Sequence, residues 1–147
     1  MLFNMPLISI ITINYNNAKG LQKTLDSVVS QSFQDFEFIV IDGNSTDKSV
    51  DVIKQFTRVN GWVSEKDNGI YDAQNKGILK AKGNYLLFLN SGDILANSNV
   101  FQKVSSVLSG GKSFYYGNLI FEKNLVKENH IAPKEIDMDF IDRKSVV

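Results

Sequence analysis

Five apolar residues in a row, Tyr85-Leu86-Leu87-Phe88-Leu89, stand between Gly83 and Gly92. The run is too short for a typical helix and has no polar alternation. It reads as a central strand buried on both faces. Directly after it the composition inverts to Asn90-Ser91-Gly92-Asp93. In open α/β sheets, ligands bind just beyond the carboxyl ends of the strands. A carboxylate there, beside a glycine that allows close backbone approach, suits a metal or a polar ligand. A polar turn with a helix-capping Asp93 fits the same residues. A second acidic strand end upstream shifts the balance toward a site.

That strand end belongs to a chain that alternates strand and helix. Leu7 to Ile13 is β-branched and nearly continuous, a strand. Asn17 then caps a helix from about Ala18 to Gln31, with Leu21, Leu25, Val28 and Val29 on one face. Phe36 to Ile41 is the second strand and ends at Asp42-Gly43. Ser45 or Thr46 caps a helix to about Phe56, with Asp47 in its positive first turn. Trp62-Val63-Ser64 is a short third strand, and its tryptophan reads as core. Ile70 to Lys82 is a helix, and Gly83 sits where a helix end favours a left-handed residue. A helix from about Asn99 to Leu108 turns Phe101, Val104, Val107 and Leu108 inward. Ser113 to Phe121 reads as a fifth strand, and periodicity fades from Glu122. The order implies a mostly parallel sheet with helices on both sides and right-handed crossovers.

Composition excludes several classes. The 147 residues suit one domain, and 43% apolar with 22% charged content describes an ordinary globular protein. Sixteen basic and sixteen acidic residues cancel, so nothing global draws nucleic acid or anionic membrane. No cysteine means no thiolate metal site, and it fits a cytoplasmic protein. No apolar run approaches the ~18 residues of a membrane span, which leaves open only peripheral docking at the inner face of a membrane. His130, the single histidine, has no partner type for a metal site. Lys76, Lys80 and Lys82 read as a wet helix face, and Arg58 as a surface charge.

Asp42, Asp93 and the polar loop at Asn14 all follow strands and would line one cleft. The glycines of a dinucleotide fingerprint are missing from Asn14-Tyr15-Asn16-Asn17-Ala18-Lys19-Gly20, and no P-loop occurs. A phosphate is therefore met some other way. A Mn²⁺ or Mg²⁺ ion on Asp93 suits that need, since such ions take one or two protein carboxylates and fill their shell with phosphate oxygens and water. Asp42 suits the ring N–H of uracil, by a charge-assisted hydrogen bond.

Four blocks resemble family 2 glycosyltransferases in family order: Ser9 to Asn16, Gln31 to Glu37, Ile41 to Ser49, and Asp67 to Ile78. Leu89-Asn90-Ser91-Gly92-Asp93 falls where that family carries its D-x-D-type metal motif. The resemblance implies an α/β fold of the Rossmann-like GT-A type that binds nucleotide-diphospho-sugars, here C-terminally truncated. Residues 1–121 would form the nucleotide-sugar-binding core and 122–147 the start of the acceptor-side half. It implies sugar transfer from a nucleotide-diphosphate donor, a UDP-sugar favoured, to a saccharide or lipid-linked acceptor in bacterial polysaccharide synthesis.

Carried onto this sequence, the resemblance puts Ile13 and Tyr15 at the nucleobase, Asp42 on the uracil or ribose, and Asp72, Asn75 and Ser91 beside the donor. Asp93, with Asn90, would hold the metal. Asn90 and Gly92 depart from the family's acidic pattern and leave one carboxylate. The family's general base is expected beyond Val147, with Asp137, Asp139 and Asp142 the late acids here. A donor-binding half of this kind is expected to transfer no sugar alone and to form a homodimer through Phe114, Tyr115, Tyr116, Ile120, Phe140 and Ile141. A non-catalytic nucleotide-sugar-binding remnant is the alternative; a nicotinamide-dependent oxidoreductase is opposed by the missing glycines.

Overall fold

The strand-helix alternation builds a sheet whose chain order reverses at its first strand. The computed structural model describes residues 5–110, 119–123 and 126–131. They fall in two units, residues 1–109 and 110–147. The first unit runs β1 (Ile8–Asn14), α1 (Ala18–Val29), β2 (Phe36–Asp42), α2 (Ser49–Gln55), β3 (Gly61–Ser64), α3 (Ile70–Lys80), β4 (Tyr85–Phe88) and α4 (Val100–Leu108). Its four strands are parallel, in the order β3-β2-β1-β4. The chain steps outward from β1 to β2 to β3, then returns through α3 to the other side of β1. With right-handed crossovers, α1 and α2 cover one face and α3 the other. The crevice beyond the carboxyl end of β1, where the order reverses, is where such sheets take ligands.

All seven residues of β1 are buried, as are all but Glu37 in β2. Ile10, Ile11, Phe38, Val40 and Ile41 are buried on the two faces, each such side chain contributing roughly 1.5–3 kcal/mol. The register sets Asn14 opposite Asp42 and Asp42 opposite Ser64, so three strand ends finish level. At the other end of the sheet, Glu37 accepts hydrogen bonds from Ser9 Oγ (2.5 Å) and from the backbone N–H groups of Lys82 and Gly83, which fixes the entry to β4.

Several sequence expectations change. Among the described residues β4 is neither the central strand nor buried on both faces. Among the described residues it pairs with β1 alone, and Leu86 and Phe88 are 42% and 40% exposed. Apolar content reports hydrophobicity but not how many faces are covered. Gly83 does not close α3: the helix ends at Lys80 with Ala81 extended. Its reason is close approach, since a Cβ there would lie 2.6 Å from the Ser9 nitrogen. α2 starts at Ser49, not beside Ser45, because Asp47 turns the chain by accepting from Ser49 N and Oγ. On α4 Phe101 and Leu108 are buried, but Val107 faces solvent. Trp62 is 40% exposed, so it is not core.

Arg58 is no loose surface charge. Its guanidinium lies 4.0 Å from the Phe36 ring centroid and donates to the carbonyls of Gln34 and Phe36. Phe36 in turn meets Phe101 edge-on at 5.4 Å. Lys76 pairs with Glu65 at 2.9 Å and donates to the Lys66 carbonyl, so it is not simply a wet face.

The second unit contains β5 (Leu119–Lys123) and β6 (Val126–His130), paired antiparallel. The expected fifth strand thus begins at Leu119 among the described residues and belongs to a hairpin rather than the parallel sheet. His130 lies on β6. Of the expected dimer contacts, Ile120 is exposed; Phe114, Tyr115, Tyr116, Phe140 and Ile141 lie outside the described residues, as do Asp137, Asp139 and Asp142. Among the described residues no helix is long and apolar enough to cross a membrane.

Gly77 sets the seat of α3 on the sheet, because a Cβ there would come 2.3 Å from Ile11 Cγ2. Alanine inside a helix is normally stabilising by ~1 kcal/mol over glycine. Here Gly77→Ala should instead destabilise by about 1–3 kcal/mol through overpacking. Urea denaturation checks the sign, and Ile11→Ala, which removes Cγ2, should cost less in the Gly77→Ala chain than in the wild type.

Candidate functional site

The level strand ends bring polar loops into contact, and one buried carboxylate joins them. Asp42 has no exposed surface. Its Oδ1 accepts from Asn14 Nδ2 (2.8 Å) and Ser45 Oγ (2.6 Å); its Oδ2 accepts from Ser45 N (2.9 Å) and Ser64 Oγ (2.6 Å). Each oxygen therefore takes two donors, drawn from β1, β3 and the loop after β2. Burial pushes the Asp42 carboxyl up, but the bonds from Ser45, Ser64 and Asn14 outweigh it and hold the group below the usual carboxylate value. These four bonds make the carboxylate the anchor of the loops around it. It acts on the cleft through the loops it holds.

A second set of bonds stitches the loop after β1 to its neighbours. Asn16, at φ 48°, accepts from Thr46 N (2.8 Å), and its own N–H donates to Ser45 Oγ (2.8 Å). Asp47 accepts from Ala18 N at the start of α1, and its bonds, led by Ser49, hold its carboxyl below the usual value. Asn17 caps α1 as expected by accepting from Gly20 N, while its Nδ2 donates to the Ser91 carbonyl at 3.1 Å.

The turn after β4 rests on α1. Buried Thr24 donates to the Asp93 carbonyl (2.8 Å) and accepts from Gly92 N (2.9 Å). Gly92 has φ +106°, a conformation that favours glycine. Thr12 Oγ1 donates to the Leu89 carbonyl at 2.7 Å, and Ser91 N to the Ile13 carbonyl at 3.0 Å. Asp93 is exposed; its Oδ2 accepts a long bond from Asn90 N (3.2 Å), and its Oδ1 makes no hydrogen bond among the described residues. No cluster of three or more metal-ligating side chains occurs among the described residues. One carboxylate with a free oxygen fits a divalent ion that takes most of its ligands from phosphate and water. It does not fit an all-protein cage.

Between these loops lies a cleft of about 290 Å³ at the point where the strand order reverses. β1 contributes Ile13 and Asn14, followed by Tyr15, and the turn after β4 contributes Asn90 and Ser91. The segment entering α3 supplies Asp67, Gly69, Ile70 and Ala73. Residues 9–144 match the family described as glycosyl transferase family 2. The chain belongs to that family.

Among relatives of this family 2 chain, an uncharacterized glycosyltransferase of Haemophilus influenzae is 37% identical over 131 residues, 84% of this chain and 52% of the relative. A PGL/p-HBAD biosynthesis glycosyltransferase of Mycobacterium bovis is 34% identical over 121 residues, 78% of this chain and 47% of that one. The chain thus spans about half the length of the curated relatives it matches. Staphylococcus aureus TarS in complex with UDP-GlcNAc superposes with a TM-score of 0.64 at 24% identity, over 70% of this chain and 31% of TarS. The mannosyltransferase PcManGT of Pyrobaculum calidifontis, in complex with GDP-Man and Mn²⁺, gives 0.65 at 19%, over 73% and 33%. At those identities the likeness shows the shared fold, which is GT-A.

Of the residues singled out in the sequence, Ile13, Tyr15, Ser91 and Asn90 line the cleft, and Asp93 stands at the same turn. Asp72 is one step back, where it accepts from Asn68 N (2.9 Å); Asn75 is exposed on α3 and does not line the cleft. Sequence reading put the loop at Asn14 at the cleft, where Asn14 lies, but gave no role to Thr24 or Asp67. A threonine inside an amphipathic helix looks like filler until the turn it holds is visible.

Asp42 generates a prediction with a definite sign. A carboxyl whose folded pKa is depressed adds stability above its unfolded pKa of ~3.9, and that stability is lost as pH falls through the lower folded value. Asp42→Asn leaves buried donors facing an amide and should cost about 2 kcal/mol or more at pH 7. Denaturant melts at pH 7 and pH 3 should show the variant losing less on acidification than the wild type.

Proposed function

We propose that this chain forms the donor-binding part of a glycosyltransferase that moves a sugar from a nucleotide-diphosphate donor, a UDP-sugar favoured, to a saccharide or lipid-linked acceptor. The observation that carries the reading is the cleft between β1 and β4, at the reversal of strand order, with polar turns and one exposed carboxylate at its rim. UDP-GlcNAc and GDP-Man bound to the solved relatives support a nucleotide-sugar ligand in this fold.

In this reading Tyr15, 67% exposed, packs on the nucleobase while the backbone around Ile13 borders it. Asn14 and Asp42 fix the strand ends that frame the base. Ser91 lies on the turn that faces the diphosphate. Asp93, with Asn90, would hold Mn²⁺ or Mg²⁺. A bound ion supplies charge neutralisation for the departing nucleoside diphosphate. The chain's own part is positional, since Thr24 and Asn17 lock the turn before any ligand arrives and so reduce the ordering cost of binding.

Calorimetry with UDP, GDP, ADP and NAD tests the reading. UDP should bind most tightly, and a hundredfold excess over Kd should stabilise the fold by ~2.7 kcal/mol. NAD binding in preference to UDP would favour an oxidoreductase instead. Asp93→Ala should abolish any Mn²⁺-dependent gain in UDP affinity while leaving metal-free binding nearly unchanged. A wild-type chain with no such gain would point to a non-catalytic binder.

A further inference from the structure

The chain carries two Asn-Gly pairs, Asn60-Gly61 and Asn68-Gly69. In such a pair no Cβ on the second residue obstructs the side chain of the first, so the glycine nitrogen can reach the asparagine amide carbon. A Cβ at Gly61 or at Gly69 would meet nothing within 4 Å, so both nitrogens are sterically open. What differs is how each asparagine is held.

Asn60 is locked. Its Oδ1 accepts from Phe38 N and from Arg58 Nη1, both at 2.8 Å, and its own N–H donates to the Phe38 carbonyl. Gly61 then enters β3, opposite Ile39 of β2. Turning the Asn60 amide onto Gly61 would break two bonds that tie the start of β3 to β2 and to Arg58. Asn68 has no such hold. It is exposed, and its side chain makes no hydrogen bond among the described residues; only its backbone N–H is engaged, by Asp72. Gly69, at φ +112°, is exposed and lies outside both β3 and α3. Its N–H faces Asp67 Oδ1 at 3.0 Å, so an acceptor already stands at the nitrogen that must give up its proton.

We propose that Asn68 is a self-modification site, at which the folded protein converts the side-chain amide to a carboxylate. Gly69 N attacks Asn68 Cγ. The new N–C bond closes a succinimide, the Cγ–Nδ2 bond breaks, and Nδ2 leaves as ammonia with the proton lost from Gly69 N. Water then opens the ring. Attack at the Cγ carbonyl gives aspartate. Attack at the main-chain carbonyl gives isoaspartate, in which the backbone runs through the side chain and is lengthened by a methylene. The change falls between Asp67 and Ile70, both of which line the cleft. Loss of the Gly69 N–H in the ring releases Asp67 from its bond, and the new carboxylate stands beside Asp67 and Asp72. Both effects oppose an anionic ligand. The consequence for ligand affinity rests on the donor-site reading above; the modification itself does not.

Peptide mapping by mass spectrometry of the full chain, aged in mildly alkaline buffer, tests the site. Amide-to-acid conversion and isoaspartate should accumulate at Asn68 about tenfold or more faster than at Asn60, and in concentrated urea the two rates should converge, because unfolding frees Asn60. Asn68→Gln, whose longer side chain closes this ring poorly, should stop the reaction there and leave the melting curve unchanged. Asn60 keeping pace with Asn68 in the folded chain, or Asn68 intact while the unfolded chain converts, overturns the assignment. Calorimetry reads the consequence: the aged wild type should bind UDP several-fold more weakly than the fresh protein, and aged Asn68→Gln should not. Unchanged affinity in the aged wild type, or equal weakening of both aged chains, overturns the link between Asn68 and the cleft. Failure of the fresh chain to bind any nucleoside diphosphate overturns the donor reading, while peptide mapping still decides the assignment of Asn68.

Discussion

A single desolvated carboxylate organises the working edge of this sheet. Asp42 would cost several kcal/mol to bury alone, and it is tolerated because four donors converge on it. Those donors come from three different segments, so satisfying one charge also fixes the relative heights of β1, β2 and β3. The same bonds set the loop after β2 against the loop after β1, where Asn16 and Asp47 continue the stitching. Remove the charge and the loops lose their common anchor, while the hydrophobic sheet beneath keeps its own reasons to form.

The turn at Asn90–Asp93 is held by a different logic. It carries φ-positive Gly92 and exposed side chains, features that would leave an isolated loop mobile. Thr24 on the helix after β1 and Asn17 at its cap grip the backbone of this turn, and Asn17 adds a longer bond to Ser91 Oγ. Backbone anchoring leaves the carboxylate of Asp93 free to serve a ligand. It also makes the first helix part of the site although none of its residues lines the cleft.

Much of the fold was legible in the sequence because its signals are local. β-branched runs gave β1 and β2, and Asn17 announced the start of α1 by the ordinary chemistry of a cap. The level acidic strand ends and the family blocks located the cleft. What local signals could not carry was placement. Nothing within Tyr85–Leu89 tells whether one neighbour or two will flank it. Nothing near Asp42 tells that Ser64, twenty-two residues on, will take one of its lone pairs. Asp67 was visible within a family block, but its place in the cleft beside Gly43 and Tyr15 was not. The β5–β6 hairpin was missed because Glu122, Lys123, Lys127 and Glu128 break the apolar alternation that marks a half-buried strand.

The bond from Thr12 to the Leu89 carbonyl joins residues seventy-seven apart, and it lies directly under the cleft. Contacts of that sequence separation form only after a long loop has closed, which slows assembly and ties it to the global event. Every wall of the cleft is drawn from a segment that such closure brings in. The pocket therefore has no local precursor: a chain lacking β4 would keep most of the hydrophobic sheet yet have nowhere to put a ligand. The cleft in this molecule is a product of completed folding, not of any one loop.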